Sequence, residues 1–128
     1  RRQHDALDDP QELMADAVQT AAADVSQAAP VCLGLVATCD AAAPHLLGLA
    51  RAAVARGWAC RCFLTDTGVR LLSDAALREM ARAGQLQLEV CEHAWQMFGG
   101  GPAPDGFKLR SQLQNAMLAR DCDRVIVI

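Results

Sequence analysis

The chain has 128 residues, of which 52% are hydrophobic, and its 12 Lys and Arg side chains against 15 Asp and Glu leave a net charge of −3. This length corresponds to one domain that can bury a substantial core without disulfide staples, and the absence of a basic stripe argues against nucleic acid as a partner. The apolar runs are short and interrupted, far below the roughly 20 residues that cross a bilayer. With no hydrophobic signal segment after Arg1 and Arg2, we expect a cytoplasmic protein with no membrane contact. Because the first residue is not Met, the sequence is a trimmed chain, a processed chain or a piece of a longer one.

The first 30 residues predict an N-terminal extension that contains a helix. Asp9 suits the N-cap and Pro10 the first helical position, and the helix is expected to run to about Ala28. Apolar residues between Leu13 and Val25 recur at helical spacing, so this helix must pack on the domain or on another subunit. We therefore divide the chain into an extension, 1–30, and an α/β domain, 31–128.

Strand and helix patterns alternate through the rest of the chain. Apolar or alternating runs predict strands at 31–37, 58–64, 85–90 and 125–128, helices at about 44–56, 74–83 and 107–120, and a glycine-rich loop at 94–106. Alternation of this kind predicts a three-layer, flavodoxin-like parallel sheet with helices on both faces. If the strand order is 2-1-3-4, the first and third strands are neighbours, and the loop that contains Cys39 lies beside Cys91.

Six cysteines are present, an even number that would suggest a disulfide framework in a small secreted protein. Several of them lie within apolar strand runs, and Cys60 and Cys62 point to the same face of one strand, which places them poorly for pairing with each other. Reduced core thiols are the simpler interpretation. Since the sequence contains neither CxxC nor HExxH, we predict no metal site, and we predict no cofactor.

Cys91 is the strongest candidate for chemistry. The segment 85–90 alternates polar and apolar side chains, as a half-buried strand does, and Cys91 stands where the pattern stops. Reactive groups of parallel sheets collect beyond the carboxyl ends of the strands. The alternative is that Cys91 packs as a small hydrophobe, a common role of cysteine.

Three segments of the domain resemble the DsrE/DsrF-like family. They are CFLTDTGV at 62–69, LEVC at 88–91 and DRVI at 123–126, separated by helices and a glycine-containing loop. The resemblance implies a small α/β protein that forms homo- or hetero-oligomers. It also implies that a cysteine at the position of Cys91 carries sulfur as a persulfide in a relay, as in the TusBCD complex of tRNA thiolation.

Further site residues are predicted around Cys91. His93 could supply a positive charge or a proton, and Cys39 could act as a resolving thiol. The predicted pocket residues are Asp66, Thr67, Gly68 and Trp95. The three residues 66–68 could equally well form only the turn after the second strand. Trp95, Met97 and Phe98 could be a lid, a subunit interface or ordinary packing.

The leading functional hypothesis is a sulfur carrier or sulfurtransferase component with a persulfide on Cys91. Its expected partners are sulfur donor and acceptor proteins, and the protein is expected to form a homo-oligomer. The alternative is a non-catalytic oligomeric module that binds a small ligand or a partner, in which Cys91 only packs. A nucleotide- or flavin-binding domain is disfavoured because the loop after the first strand, 37–41, has no glycine-rich phosphate cradle.

Overall fold

The computed structural model of the protein describes residues 30–128. The helix predicted between Pro10 and Ala28 therefore lies outside the described residues, and the division of the chain at residue 30 stays a prediction. Within 30–128, no helix combines the length and the apolar character needed to cross a bilayer.

Five parallel strands form one sheet. They are β1 (Cys32–Ala37), β2 (Ala59–Leu64), β3 (Gln87–Cys91), β4 (Lys108–Arg110) and β5 (Arg124–Val127), in the order β4-β3-β2-β1-β5. The α/β class with a flavodoxin-like parallel sheet is confirmed. The expected order 2-1-3-4 is wrong, because β2 lies between β1 and β3. Right-handed crossovers are compatible with either order, and the central place of β2 suits its fully apolar end, 62–64, which is buried.

Helices connect the strands. They are α1 (Ala43–Ala55), α2 (Ala75–Arg82), the single turn α3 (Glu92–Ala94), which continues as a π-helical turn (Trp95–Gly99), and α4 (Leu113–Asp121). The core between the sheet and these helices includes Leu35, Leu46, Phe63 and Leu77, all nearly inaccessible to solvent. Close packing continues at Gly34 of β1, where an added Cβ would overlap the side chain of Leu118 in α4.

Two elements of the structure differ from those predicted from the sequence. The helix expected over 107–120 is replaced by the short strand β4 followed by α4, because charged Lys108 and Arg110 alternate with Leu109, which packs against the core. The loop expected over 94–106 starts as helix, because Ala94 and Trp95 are buried and hold the chain against the core. Both changes affect the carboxyl edge of the sheet, where β1, β2 and β3 end.

Candidate functional site

Cys91 is the last residue of β3, and its sulfur faces a cavity at the carboxyl edge of the sheet. The residue as a whole is only 3% exposed, so the cavity is its route to other molecules. The cavity has a volume of about 490 Å³ and is lined by Thr65, Asp66, Cys91, His93, Ala94, Met97, Phe98 and Gln112. Three parts of the chain thus meet around one thiol: the segment after β2, the helical segment after β3 and the residue before α4.

Hydrogen-bond donors surround the Cys91 sulfur. The side-chain amide of Gln112 donates to Sγ at 3.3 Å and to the hydroxyl of Thr65 at 3.0 Å. The Thr65 hydroxyl and the backbone N–H groups of His93 and Ala94 are further polar groups that lower the pKa of Cys91. The two backbone donors are available because α3 begins directly after Cys91, and the first N–H groups of a helix have no partner within it.

These donors decide the ionisation of the thiol. Burial by itself raises the pKa of Cys91, but the hydrogen bonds from Ala94, Gln112, Thr65 and His93 together outweigh burial, so the pKa lies below its ordinary value. Hydrogen bonds to the charged form of a group favour that form. Because the thiolate is the nucleophilic form of cysteine, the site favours nucleophilic attack from Cys91.

Other thiols of the chain show the opposite behaviour. Burial, with a smaller contribution from Cys32, raises the pKa of Cys60 to about 11. Burial likewise raises the pKa of Cys62. Burial and a hydrogen bond with Cys32 raise the pKa of Cys122 to about 12. Burial alone therefore does not explain Cys91, whose distinguishing feature is its set of donors.

Cys39, predicted as a resolving thiol, is not adjacent to Cys91. It follows β1, and β2 separates β1 from β3, so the strand order on which the prediction depended is absent. Cys39 is exposed, does not line the cavity, and accepts a hydrogen bond from the N–H of Ala41 at 3.4 Å, which caps the short 3-10 turn Asp40–Ala42. Its local role in the structure is that of a cap.

The predicted pocket residues after β2 divide into two groups. Asp66 lines the cavity. Thr67 instead donates a long hydrogen bond, 3.5 Å, to the carbonyl oxygen of Thr38. Gly68 lies so close to the carbonyl of Ala37 that an added Cβ would overlap it. Thr67 and Gly68 therefore join the 3-10 segment Asp66–Ser73 to the end of β1 and do not line the cavity.

Residues after Cys91 also have separate roles. His93 lines the cavity, and its backbone N–H contributes to the lowered pKa of Cys91. Trp95 is buried, donates its indole N–H to the carbonyl of Gly101 at 2.9 Å, and occupies the space where a Cβ at Gly99 would lie. Trp95 thus packs against the glycine-rich loop, whereas Met97 and Phe98 form a wall of the cavity.

Three residues that shape the site were not predicted from the sequence. Thr65 and Gln112 contact the thiol from two other segments. Arg70 joins three segments, because its guanidinium donates to the carboxylate of Asp40 and to the carbonyl of Phe98, both at 3.2 Å. Among residues 30–128, no three His, Cys, Asp or Glu side chains cluster as a metal site would require.

Comparison with known proteins supports the fold. The crystal structure of the ychN protein from E. coli superposes with a TM-score of 0.60 at 16% sequence identity, over 77% of this chain and 99% of that chain. No protein-family model matches the sequence, and no curated protein sequence matches it either. The likeness to ychN agrees with the DsrE/DsrF-like fold that the resemblance implied, and at this identity it shows the fold alone.

Proposed function

We propose that the protein is a sulfur carrier or sulfurtransferase component that holds a persulfide on Cys91. The observation that carries this proposal is the cavity-facing Cys91 sulfur with the Gln112 amide 3.3 Å from it. This hydrogen bond, Thr65 and the first N–H groups of α3 lower the pKa of Cys91 although the residue is buried. A sulfur carrier needs a thiolate that reaches a partner through a defined opening. The cavity of about 490 Å³ in front of the sulfur provides that opening.

The transfer step balances without an external oxidant. The Cys91 thiolate attacks the outer sulfur of a donor persulfide, R–S–S–H, so a sulfur–sulfur bond forms on Cys91 and the donor's own sulfur–sulfur bond breaks. The donor leaves as the thiolate R–S⁻, and the transferred sulfur keeps its proton. The polar groups that stabilise the Cys91 thiolate would also accommodate charge on the persulfide.

Sulfur donor and acceptor proteins are part of the same proposal, since a carrier needs both. Met97 is 62% exposed at the cavity wall, and Phe98 lies next to it. An apolar group of this kind beside a reactive thiol suits contact with another protein, either a donor, an acceptor or a second copy of the chain.

Intact-mass analysis after incubation with a persulfide donor tests the proposal. The wild type is expected to gain the mass of one sulfur atom, and the gain should disappear after treatment with a reductant. Cys91→Ser should show no gain while it retains the circular dichroism of the folded protein. Cys122→Ser is a matched control, because its thiol is half-buried and has a raised pKa, and it should gain sulfur as the wild type does.

Equal gain in the wild type and in Cys91→Ser would contradict the proposal. No gain in any variant would do so as well, and would favour a binding module in which Cys91 only packs. The variant Cys39→Ser tests whether Cys39 is needed for the sulfur on Cys91. Because Cys39 does not line the cavity, we expect this variant to load sulfur normally.

A further inference from the structure

Two cysteines that are 90 residues apart in the sequence meet at the amino edge of the sheet. Cys32 is the first residue of β1, and Cys122 comes directly after the last residue of α4. Their sulfur atoms are 3.0 Å apart. This pair lies at the opposite edge of the parallel sheet from Cys91, which ends β3, so it is separate from the site of the proposed function.

The backbone on both sides of this pair is fixed by hydrogen bonds. The N–H of Cys32 donates to the carboxylate of Asp123 at 2.7 Å, and the N–H of Asp123 donates to the carbonyl of Cys32 at 2.9 Å. A disulfide bond is about 2.05 Å long, so the two sulfur atoms would need to approach by only about 1 Å. The hydrogen bonds on both sides hold the two residues at this short separation.

Strand register excludes the nearest competing thiol. Cys32 is in register with Ala59 and Leu33 with Cys60, and successive residues of a strand point to opposite faces of the sheet. Cys60 therefore points away from the face that carries Cys32. Cys122 lies on the same face as Gly34, since its sulfur is 3.1 Å from the position of a Cβ at Gly34, and Gly34 shares a face with Cys32.

A cavity gives access to the Cys32 side of the pair. It has a volume of about 400 Å³ and is lined by Pro30, Val31, Cys32, Ala59, Asp121 and Asp123. Asp121 is ion-paired with Arg61 and Arg120. The carboxylate of Asp123, however, lies 2.7 Å from the N–H of Cys32 and disfavours an anionic reagent at this thiol. The chemistry of this opening suits a small disulfide without net negative charge.

We propose that Cys32 and Cys122 form a redox-active dithiol that exchanges reversibly with small neutral or cationic disulfides. The Cys32 thiolate attacks one sulfur of the disulfide R–S–S–R, forms a mixed disulfide and releases R–S⁻. The Cys122 thiolate then attacks the Cys32 sulfur, closes the Cys32–Cys122 bond and releases a second R–S⁻. The two cysteine thiols are oxidised, one disulfide is reduced to two thiols, and the two protons lost from the cysteines end on the released thiols.

The second step becomes easier once the first has occurred. Burial raises the pKa of Cys122, and the hydrogen bond and the charge of Cys32 raise it further. Conversion of the Cys32 thiolate into a mixed disulfide leaves Cys32 uncharged, so that its charge no longer raises the pKa of Cys122. The order of attack, Cys32 first and Cys122 second, therefore results both from access and from the coupling between the two sulfur atoms.

The test uses the full chain and hydroxyethyl disulfide, a neutral reagent. After incubation, free thiols are blocked with N-ethylmaleimide under denaturing conditions, and the digested protein is mapped by mass spectrometry. We expect a pair of peptides joined through Cys32 and Cys122 that is lost after treatment with dithiothreitol. Cys122→Ser should keep a hydroxyethyl adduct on Cys32, because the resolving thiol is missing. Cys91→Ser and Cys39→Ser should form the same cross-link as the wild type.

Three results would overturn the proposal. One is a stable adduct on Cys32 of the wild type without a cross-link, and another is the absence of any modification at Cys32. The third is cross-links of Cys32 spread over several cysteines, which would indicate exchange in the unfolded chain. The wild-type peptide map decides among these outcomes even if a Ser variant fails to fold. Because Cys91→Ser still contains the pair, this test and the sulfur-loading test can fail independently.

Discussion

Cys91 at the carboxyl edge of the sheet and Cys60 near its amino edge are almost equally buried, 3% and 4% exposed, yet their thiols have opposite properties. The pKa of Cys60 is raised to about 11 by burial, whereas that of Cys91 is lowered. The difference lies in the backbone that each residue leads into. Cys60 leads into the rest of strand β2, whose N–H groups bond to neighbouring strands, while Cys91 leads into helix α3, whose first N–H groups are free to donate.

The same type of side chain thus has a lowered pKa where donors converge on it and a raised pKa where only burial acts. Desolvation disfavours the thiolate at both positions. Only at Cys91 do donors from three segments converge on the sulfur, namely α3, the residue after β2 and Gln112 before α4. A parallel sheet brings such segments together at its carboxyl edge, because every strand leaves the sheet there.

The largest expected effect is a difference in alkylation rate between the two cysteines. At pH 7 a pKa of about 11 leaves a thiolate fraction of about 10⁻⁴ at Cys60. A pKa below the ordinary 9.0 leaves more than about 10⁻² at Cys91. The less basic thiolate is also the weaker nucleophile, which offsets about a factor of 10 of this difference. We therefore expect iodoacetamide to modify Cys91 of the native protein at least about 10-fold faster than Cys60, as measured by peptide mapping over time. Equal rates would mean that local opening, and not ionisation, controls access to both thiols.

A second prediction concerns how the carboxyl edge is assembled. Gly68→Ala places a methyl group against the carbonyl of Ala37, and a rigid strand end cannot easily move, so we expect the free energy of unfolding to fall by about 1–3 kcal/mol. Gly48→Ala is the matched control. Gly48 lies inside α1 with no atom close to an added Cβ, and this variant should gain about 0.5–1 kcal/mol.

Urea denaturation of the two glycine variants measures both effects. If Gly68→Ala were as stable as the wild type, the contact between the segment after β2 and the end of β1 would not be a constraint. The cavity around Cys91 would then be free to change shape. If Gly68→Ala lost stability and Gly48→Ala had the stability of the wild type, the close contact at Gly68 would be supported. Only the gain expected from a better helix former in α1 would then be contradicted.

The position of Cys91 could be predicted from the sequence because it depends on local pattern. Alternation along β3 ends at Cys91, and the alternation of strands and helices along the chain determines the parallel class. The strand order could not be predicted, since right-handed crossovers permit either arrangement. The predictions that depended on this order are therefore wrong, above all that Cys39 lies beside Cys91.

The remaining parts of the site depend on contacts between distant segments. Gln112 reaches Cys91 across 21 residues, and its segment carries no pattern that distinguishes a donor from a surface amide. The sequence predicts Gly68 as a turn residue, but it does not show that the backbone of Gly68 packs against the carbonyl of Ala37 with no space for a Cβ. The contact between Cys32 and Cys122 likewise requires β5 to lie beside β1.

A third prediction removes one donor from Cys91. Gln112→Glu keeps the shape of the side chain, replaces the donating amide with an acceptor and adds a negative charge. Because the Gln112 hydrogen bond lowers the pKa of Cys91, its loss should raise that pKa. The thiolate would then form at higher pH, and the midpoint of the pH–rate profile for alkylation of Cys91 should move upward. Gln114→Glu, in α4 and away from the cavity lining, makes the same chemical change and should leave the midpoint in place.

The smallest expected effect is at Arg70, which holds the cavity wall from outside. Its ion pair with Asp40 is half-exposed, 51% and 45%, and such pairs contribute about 0.2–1 kcal/mol. Asp40→Asn should therefore change the free energy of unfolding by a few tenths of a kcal/mol at most. Arg70→Gln also removes the donor to the carbonyl of Phe98 and should cost more, about 1 kcal/mol.

The two variants separate the parts of the Arg70 interaction. If the hydrogen bond to Phe98 fixes the cavity wall, Arg70→Gln should change the ratio of Cys91 alkylation rates for a bulky maleimide and for iodoacetamide, while Asp40→Asn should not. Arg70 also stacks on the Phe98 ring at 5.7 Å, so both contacts act on the same residue of the wall. An equal change in both variants would instead identify the charge of Asp40, and thus the loop after β1, as the element that positions the wall in front of Cys91.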